Sequence, residues 1–264
     1  MQSLLDRRLP LRTRVDLLTA DLRRKVAPRA LYPVRYGPGT VYLSNSDYVV
    51  DRKSFGFAVV EENYATDYEG AVVVDIGAHK GYFAAYAASR GAHAVVAYEP
   101  ESANLGVLER TAAADFGVEW TIRRAAVDAT SGRSELHVMG ASWGHALTPP
   151  EAFGQYEVGT QQVDVVALTA ALADAVAIDG GQRVVVKINI EGAECSAILG
   201  SPHSAWDGVD EVFVETHSWA SCDASELATQ LESAGFSREE SAHPAVLRMR
   251  RAGSSRSGRH SAPR

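Results

Sequence analysis

Four short segments of this chain combine reactive side chains with backbone positions that can present them. In VVVKINIEGAECSAILG, residues 184–200, an apolar run delivers Lys187, Asn189 and Glu191 at alternate positions. In an extended strand all three project to one side. Burying such groups costs several kcal/mol, of order 2–7 for an unpartnered polar group, so they must be paired or face a ligand crevice. A Lys187–Glu191 ion pair is the bland alternative. In EVFVETH, residues 211–217, a second apolar run ends in Glu215 and His217. These carboxylates and the imidazole are groups that position or deprotonate a hydroxyl. In VVVDIGAHKGYF, residues 72–83, a run ends in Asp75 and Gly77, with Gly81 before the next helix. Its Gly-x-x-x-Gly spacing is not the Gly-x-Gly-x-x-Gly of dinucleotide sites, nor does it carry the Gly-Lys-Ser/Thr ending of a phosphate loop. In VVAYEPESANLGVLE, Glu99 and Pro100 close the next run. A carboxylate there can accept hydrogen bonds from a ribose diol.

The elements that must position these groups alternate along the chain. Val72–Ile76, Ala94–Tyr98, Val184–Ile190 and Glu211–Glu215 read as buried strands, and Trp120–Val127 as a further one. Tyr82–Ala88, Glu101–Ala114, Thr169–Val176 and Ser225–Ala234 read as helices. Such alternation predicts an α/β fold, a doubly wound, mostly parallel, seven-stranded Rossmann-like sheet. Phe236 and Val246–Met249 suggest a C-terminal antiparallel hairpin. Thr40–Leu43 and Tyr48–Val50 read as short strands joined at 44–47. Glu135–Val138 and Val163–Leu168 read as strands flanking a loop, residues 140–159, which carries Trp143, His145, Phe153 and Tyr156 and reads as a lid or acceptor wall.

The chain of 264 residues suits one large α/β domain with appendages. Net charge is −7, but it is segregated: +6 over residues 1–36, +4 over 251–264 and −17 over 37–250. An acidic body repels phosphate backbones and disfavours nucleic acid as a partner. Residues 1–36 read as a basic helical arm, with Leu4, Leu5, Leu9, Leu11, Val15, Leu17, Leu18 and Leu22 at loose helical spacing. It is expected to pack on the body or to join a homo-oligomer, ahead of a membrane-surface role. Residues 37–250 read as the catalytic domain and 251–264 as a disordered basic tail. No apolar run approaches the roughly 20 residues of a membrane-spanning helix, and no signal peptide is visible, which predicts a cytoplasmic protein without membrane insertion. Cys195 and Cys222 read as reduced, packed thiols.

Taken together, VVVDIGAHKGYF, VVAYEP, AAVDATSGRSEL, VVVKINIEGAE with Gly200, and VFVETH resemble the FkbM-type family of S-adenosylmethionine-dependent methyltransferases, within the class I methyltransferase fold. The similarity spans residues 70–218 and is most specific in the stretch from Lys187 to Glu194. It implies S-adenosylmethionine as cofactor. Asp75, Gly77, Ala78, His79, Gly81 and Tyr82 would form the methionine-side turn, and Glu99 with Pro100 would meet the ribose. Val127 and Asp128 would border the adenine. Lys187, Asn189, Glu191, Glu215 and His217 would line the methyl-transfer pocket. The family usually carries Asp where this chain has Asn189, which removes a negative charge.

Methyl transfer from a sulfonium is a direct displacement that needs alignment, exclusion of water and a route for the acceptor's proton. The expectation is O-methylation of a natural product or sugar-bearing metabolite, with Lys187 steadying a developing alkoxide. Glu191 and Glu215 could ligate Mg²⁺, but no metal site is assigned. The rival readings are an NAD(P)-dependent oxidoreductase, disfavoured by the missing dinucleotide fingerprint, and a non-catalytic protein that keeps the fold.

Overall fold

A computed structural model describes residues 7–178 and 180–253. The chain runs α1 (Leu11–Val26), β1 (Leu31–Tyr36), β2 (Gly39–Ser44), α2 (Tyr48–Phe55), β3 (Val72–Ile76), α3 (Tyr82–Ala88), β4 (Ala94–Tyr98), α4 (Ser102–Ala112) and β5 (Glu119–Arg123). It continues through β6 (Ala126–Asp128), β7 (Gly132–Met139), β8 (Glu157–Ala167), α5 (Leu168–Ile178), β9 (Val184–Ile188), α6 (Glu194–Leu199), β10 (Glu211–Glu215), α7 (Ala224–Ser233), β11 (Phe236–Glu239) and β12 (Val246–Arg251).

Seven strands form the central sheet, in the order β11-β12-β10-β9-β3-β4-β5. The five from β5 to β10 are parallel, and β12 runs antiparallel to both its neighbours. Because side chains alternate along a strand, each strand feeds two cores. Val73, Val95, Val185 and Phe213 face one cluster, with α3 and aromatic residues of the N-terminal segment. Val72, Val74, Val96, Val186 and Val212 face the other, with α5, α6 and α7. By the same alternation Asp75, Lys187 and Glu215 extend the first face toward the strand ends. A smaller sheet, β6-β8-β7, packs beside them.

Several local expectations are corrected. Tyr48–Val50 is not a strand but the start of α2, whose buried residues Tyr48, Asp51 and Phe55 recur at helical spacing; the paired valines mimicked a strand. Trp120–Val127 is two strands, not one. Beyond β5, Arg123 and Arg124 turn outward to Asp174 and Glu109, and the chain leaves for the smaller sheet. The 140–159 connection is shorter than expected, because β8 begins at Glu157 after a 3-10 turn over Glu151–Tyr156. Strand β9 stops at Ile188, two residues early. The basic front holds β1 as well as α1, which is fixed to it by Asp16: Arg35 donates from Nε and Nη2, at 2.8 Å each. Residues 1–6, and the tail reading from residue 254 onward, lie outside the described residues. Among the described residues, no helix is long and apolar enough to cross a membrane.

The thiol expectation is overturned as well. Cys195 and Cys222 form a disulfide, 27 residues apart in sequence, which ties α6 to the connection following β10. The strand carries the chain out and α7 returns it, so distant cysteines meet. The denatured, unreduced protein should show no thiol to Ellman's reagent, and two after reduction. Reduction should cost about 2–4 kcal/mol of stability, visible as a lower Tm.

Candidate active site

The carboxyl ends of β3, β4, β9 and β10 open into one cleft of about 1040 Å³. At its centre Lys187 donates to Asp75 Oδ1 at 2.9 Å and to the carbonyl of Gly77 at 2.7 Å, with that of Ile76 at 3.5 Å. Asp75 is fully buried. Burial pushes its carboxyl up, and the Lys187 ammonium works against that. The donors of Lys187 are therefore spent on the turn after β3. Gly77 sits at φ 77°, where a Cβ would meet the carbonyl oxygen of Asn189 at 1.7 Å. Only a glycine allows β3 and the end of β9 to approach so closely.

At the end of β4, Glu99 is 5% exposed. Its Oε2 accepts the His79 N–H at 2.7 Å and its Oε1 the Glu101 N–H at 3.0 Å. Burial is the main cause that pushes its pKa up to about 7, opposed in part by those two N–H groups. No cation is paired with it among the described residues. An ionised carboxylate has about four acceptor sites, so room remains for two hydroxyl donors. A vicinal diol presented from the cleft fits this demand, and the residues present therefore suit the ribose of the expected cofactor. Gly77, Ala78, His79, Tyr82, Pro100 and Val127 also line the cleft, whereas Asp75 and Gly81 lie behind it. Asp128 accepts from Ser196 Oγ and from its neighbour's N–H at 2.7 Å, outside the cleft lining.

On the opposite side, Glu215 Oε2 accepts from Asn189 Nδ2 at 2.9 Å and from the Tyr64 hydroxyl at 2.8 Å. Among the described residues, Oε1 has no hydrogen-bond partner. Glu191 holds a left-handed backbone, φ 51°, followed by Gly192 at φ 94° beneath the ring of Trp219. His217 lies outside the cleft lining, with Nε2 3.4 Å from Glu191 and Nδ1 3.3 Å from Glu194. Burial opposes its imidazolium, but the two glutamates outweigh burial and raise its pKa to about 10. Burial pushes the Glu191 carboxyl up, against the pull of His217.

Several residues of the site were not singled out from sequence. Lys80, 3% exposed, donates to Asp51 at 2.5 Å, to Asp47 at 3.1 Å and to Ser142 at 3.1 Å. Asp47, Asp51 and His79 bring ligand-type atoms within 4.8 Å of one another. The ammonium already bonds both carboxylates there. Ser142 also accepts or donates at His79 Nε2, 2.7 Å away, and its N–H bonds Asp47 at 3.1 Å. These contacts pin the chain after β7 onto the cleft. Burial drives His79 far below the usual histidine range, so it is neutral. A lysine inside an otherwise apolar turn was the available signal. Tyr64 offered none, because its partner lies 151 residues away.

Residues 75–240 match the methyltransferase FkbM domain. The chain belongs to this family of S-adenosylmethionine-dependent methyltransferases. None of the curated proteins matches the sequence. Among solved structures, the magnesium protoporphyrin IX methyltransferase of Synechocystis PCC 6803 with bound SAH is 14% identical, with a TM-score of 0.42, over 92% of this chain and 98% of that one. The ribosomal protein L11 methylase of Lactobacillus delbrueckii subsp. bulgaricus is 13% identical, with a TM-score of 0.37, over 75% and 77%.

The raised pKa of Glu99 carries a signed expectation. In the empty protein the neutral carboxyl is favoured, so its contribution to stability is lost as pH rises through about 7. Hydroxyl donors prefer the ionised form, so affinity for S-adenosylhomocysteine should increase with pH and level off above about 7. Below that the loss approaches roughly tenfold per pH unit. Calorimetry across pH checks this, and Glu99→Gln should give weaker binding with a flat profile.

Proposed function

We propose that this protein transfers the methyl group of S-adenosylmethionine to a hydroxyl of a small-molecule acceptor, a natural product or sugar-bearing metabolite. The observation that carries the reading is a single cleft holding Glu99 on one side and the pair Glu191 and Glu215 on another. When bound, the cofactor supplies an electrophilic methyl group. The chain's residues then align the acceptor and take its proton.

Glu215 is the base in this reading. Tyr64 and Asn189 both bond its Oε2, which fixes the carboxylate and leaves Oε1 to meet the acceptor. Asn189 acts as a positioning residue; its amide donates to a carboxylate, which a second carboxylate could not do. Glu191 adds a second acceptor oxygen, held by the His217 imidazolium. With a pKa of about 10, His217 carries a proton at neutral pH and serves as a fixed cation. Lys187 is kept for the turn and has no donor left for an alkoxide. A small molecule is favoured over nucleic acid by the −17 charge of residues 37–250.

The test is formation of S-adenosylhomocysteine from S-adenosylmethionine, with small-molecule, protein and RNA fractions of the host supplied separately as acceptor. Turnover should require the small-molecule fraction; dependence on RNA or protein alone would overturn the acceptor class. Glu215→Gln should lower kcat about 100-fold or more while S-adenosylhomocysteine affinity holds. Because burial raises the Glu191 carboxyl, the rate should climb with pH as that group ionises. Asn189→Asp should lower kcat, since it replaces a donor to Glu215 with a like charge and loosens the carboxylate's position.

A further inference from the structure

The cleft extends beyond the donor side to a wall built from α1, α2 and the connection after β7. Four apolar side chains there are unusually open: Leu18 is 44% exposed, Leu22 67%, Val49 58% and Trp143 41%. Exposed apolar side chains gathered in one concave site mark a surface that something covers. The same wall carries Arg24, Lys25, Arg52 and Lys53, against the two carboxylates Asp21 and Glu61. Arg24 lies over the Tyr48 ring at 4.6 Å, and Lys53 over Trp143 at 5.2 Å. Each therefore fixes an aromatic wall while its N–H groups stay available to an anion. The cations run against the −17 of residues 37–250, so this end of the cleft gathers anions that the rest of that body repels.

We infer that the acceptor is an anionic amphiphile: an apolar body laid along Leu18, Leu22, Val49 and Trp143, with a carboxylate or phosphate held by Arg24, Lys25 and Lys53. The inference rests on the methyltransferase reading of the same cleft. It places substrate selection on α1 and α2.

The probe is decyl phosphate, titrated calorimetrically below its micelle concentration into the full-length protein saturated with S-adenosylhomocysteine. Saturable binding is expected. Inorganic phosphate and neutral decanol should each bind at least about tenfold more weakly. Leu22→Asp and the pair Lys25→Glu with Lys53→Glu alter exposed side chains, so folding should survive. Each should weaken decyl phosphate about tenfold or more and leave S-adenosylhomocysteine affinity unchanged. Equal binding of decanol, insensitivity to the charge reversals, or no binding of decyl phosphate to a protein that does bind S-adenosylhomocysteine would overturn the inference. So would co-sedimentation with phosphatidylglycerol vesicles in place of binding to the monomer, which would make the wall a membrane contact. Failure to bind S-adenosylhomocysteine at all would instead strike the methyltransferase reading itself.

Discussion

A buried ion pair at the middle of a parallel sheet governs this structure. Asp75 and Lys187 are register partners on β3 and β9, both almost completely removed from water. Removing either would strand the other charge in the core, at about 3–5 kcal/mol. The ammonium also holds the carbonyl of Gly77, and Gly77 in turn lets the carbonyl of Asn189 come close. Asn189 reaches Glu215 on β10. One chain of contacts thus sets the ends of three adjacent strands, and the donor turn cannot move independently of the proposed base.

The electrostatics of the cleft are divided by burial. Glu99 is held by backbone N–H groups and no cation, so it is poised to accept from hydroxyls. Glu191 is stabilised by a histidine that the surrounding glutamates keep protonated. Glu215 relies on two neutral donors. Three carboxylates in one cavity are thus held by three different kinds of partner. The remaining cations lie on the helical wall. A ligand spanning the cleft meets hydroxyl acceptors, then carboxylates, then positive charge.

Much of this was legible from sequence. Apolar runs of five residues ending in polar groups identified β3, β4, β9 and β10, and alternation identified which side chains would share a face. The residues converging on the cleft from β3, β4, β9 and β10 were found in this way. Where sequence reading failed, a local pattern was overruled by a distant partner. The valines of α2 suggested a strand until Asp51, buried on its inner face, is seen bonded to Lys80. The roles of Lys187 and Tyr64 depend on residues more than a hundred positions away. No window of sequence contains that information, and the cysteines, placed on different elements, joined for the same reason.

The stretch matching the family begins at residue 75, whereas α1 and α2 lie wholly before it. Most of the proposed acceptor wall thus precedes the stretch that holds the methyl-donor groups, with Trp143 as the exception. On the proposed reading, substitutions in the first sixty residues would change what enters the cleft while the groups facing the methyl donor stay in place. A change of acceptor would then need no rebuilding of the sheet ends, only new side chains on two helices laid across their mouth.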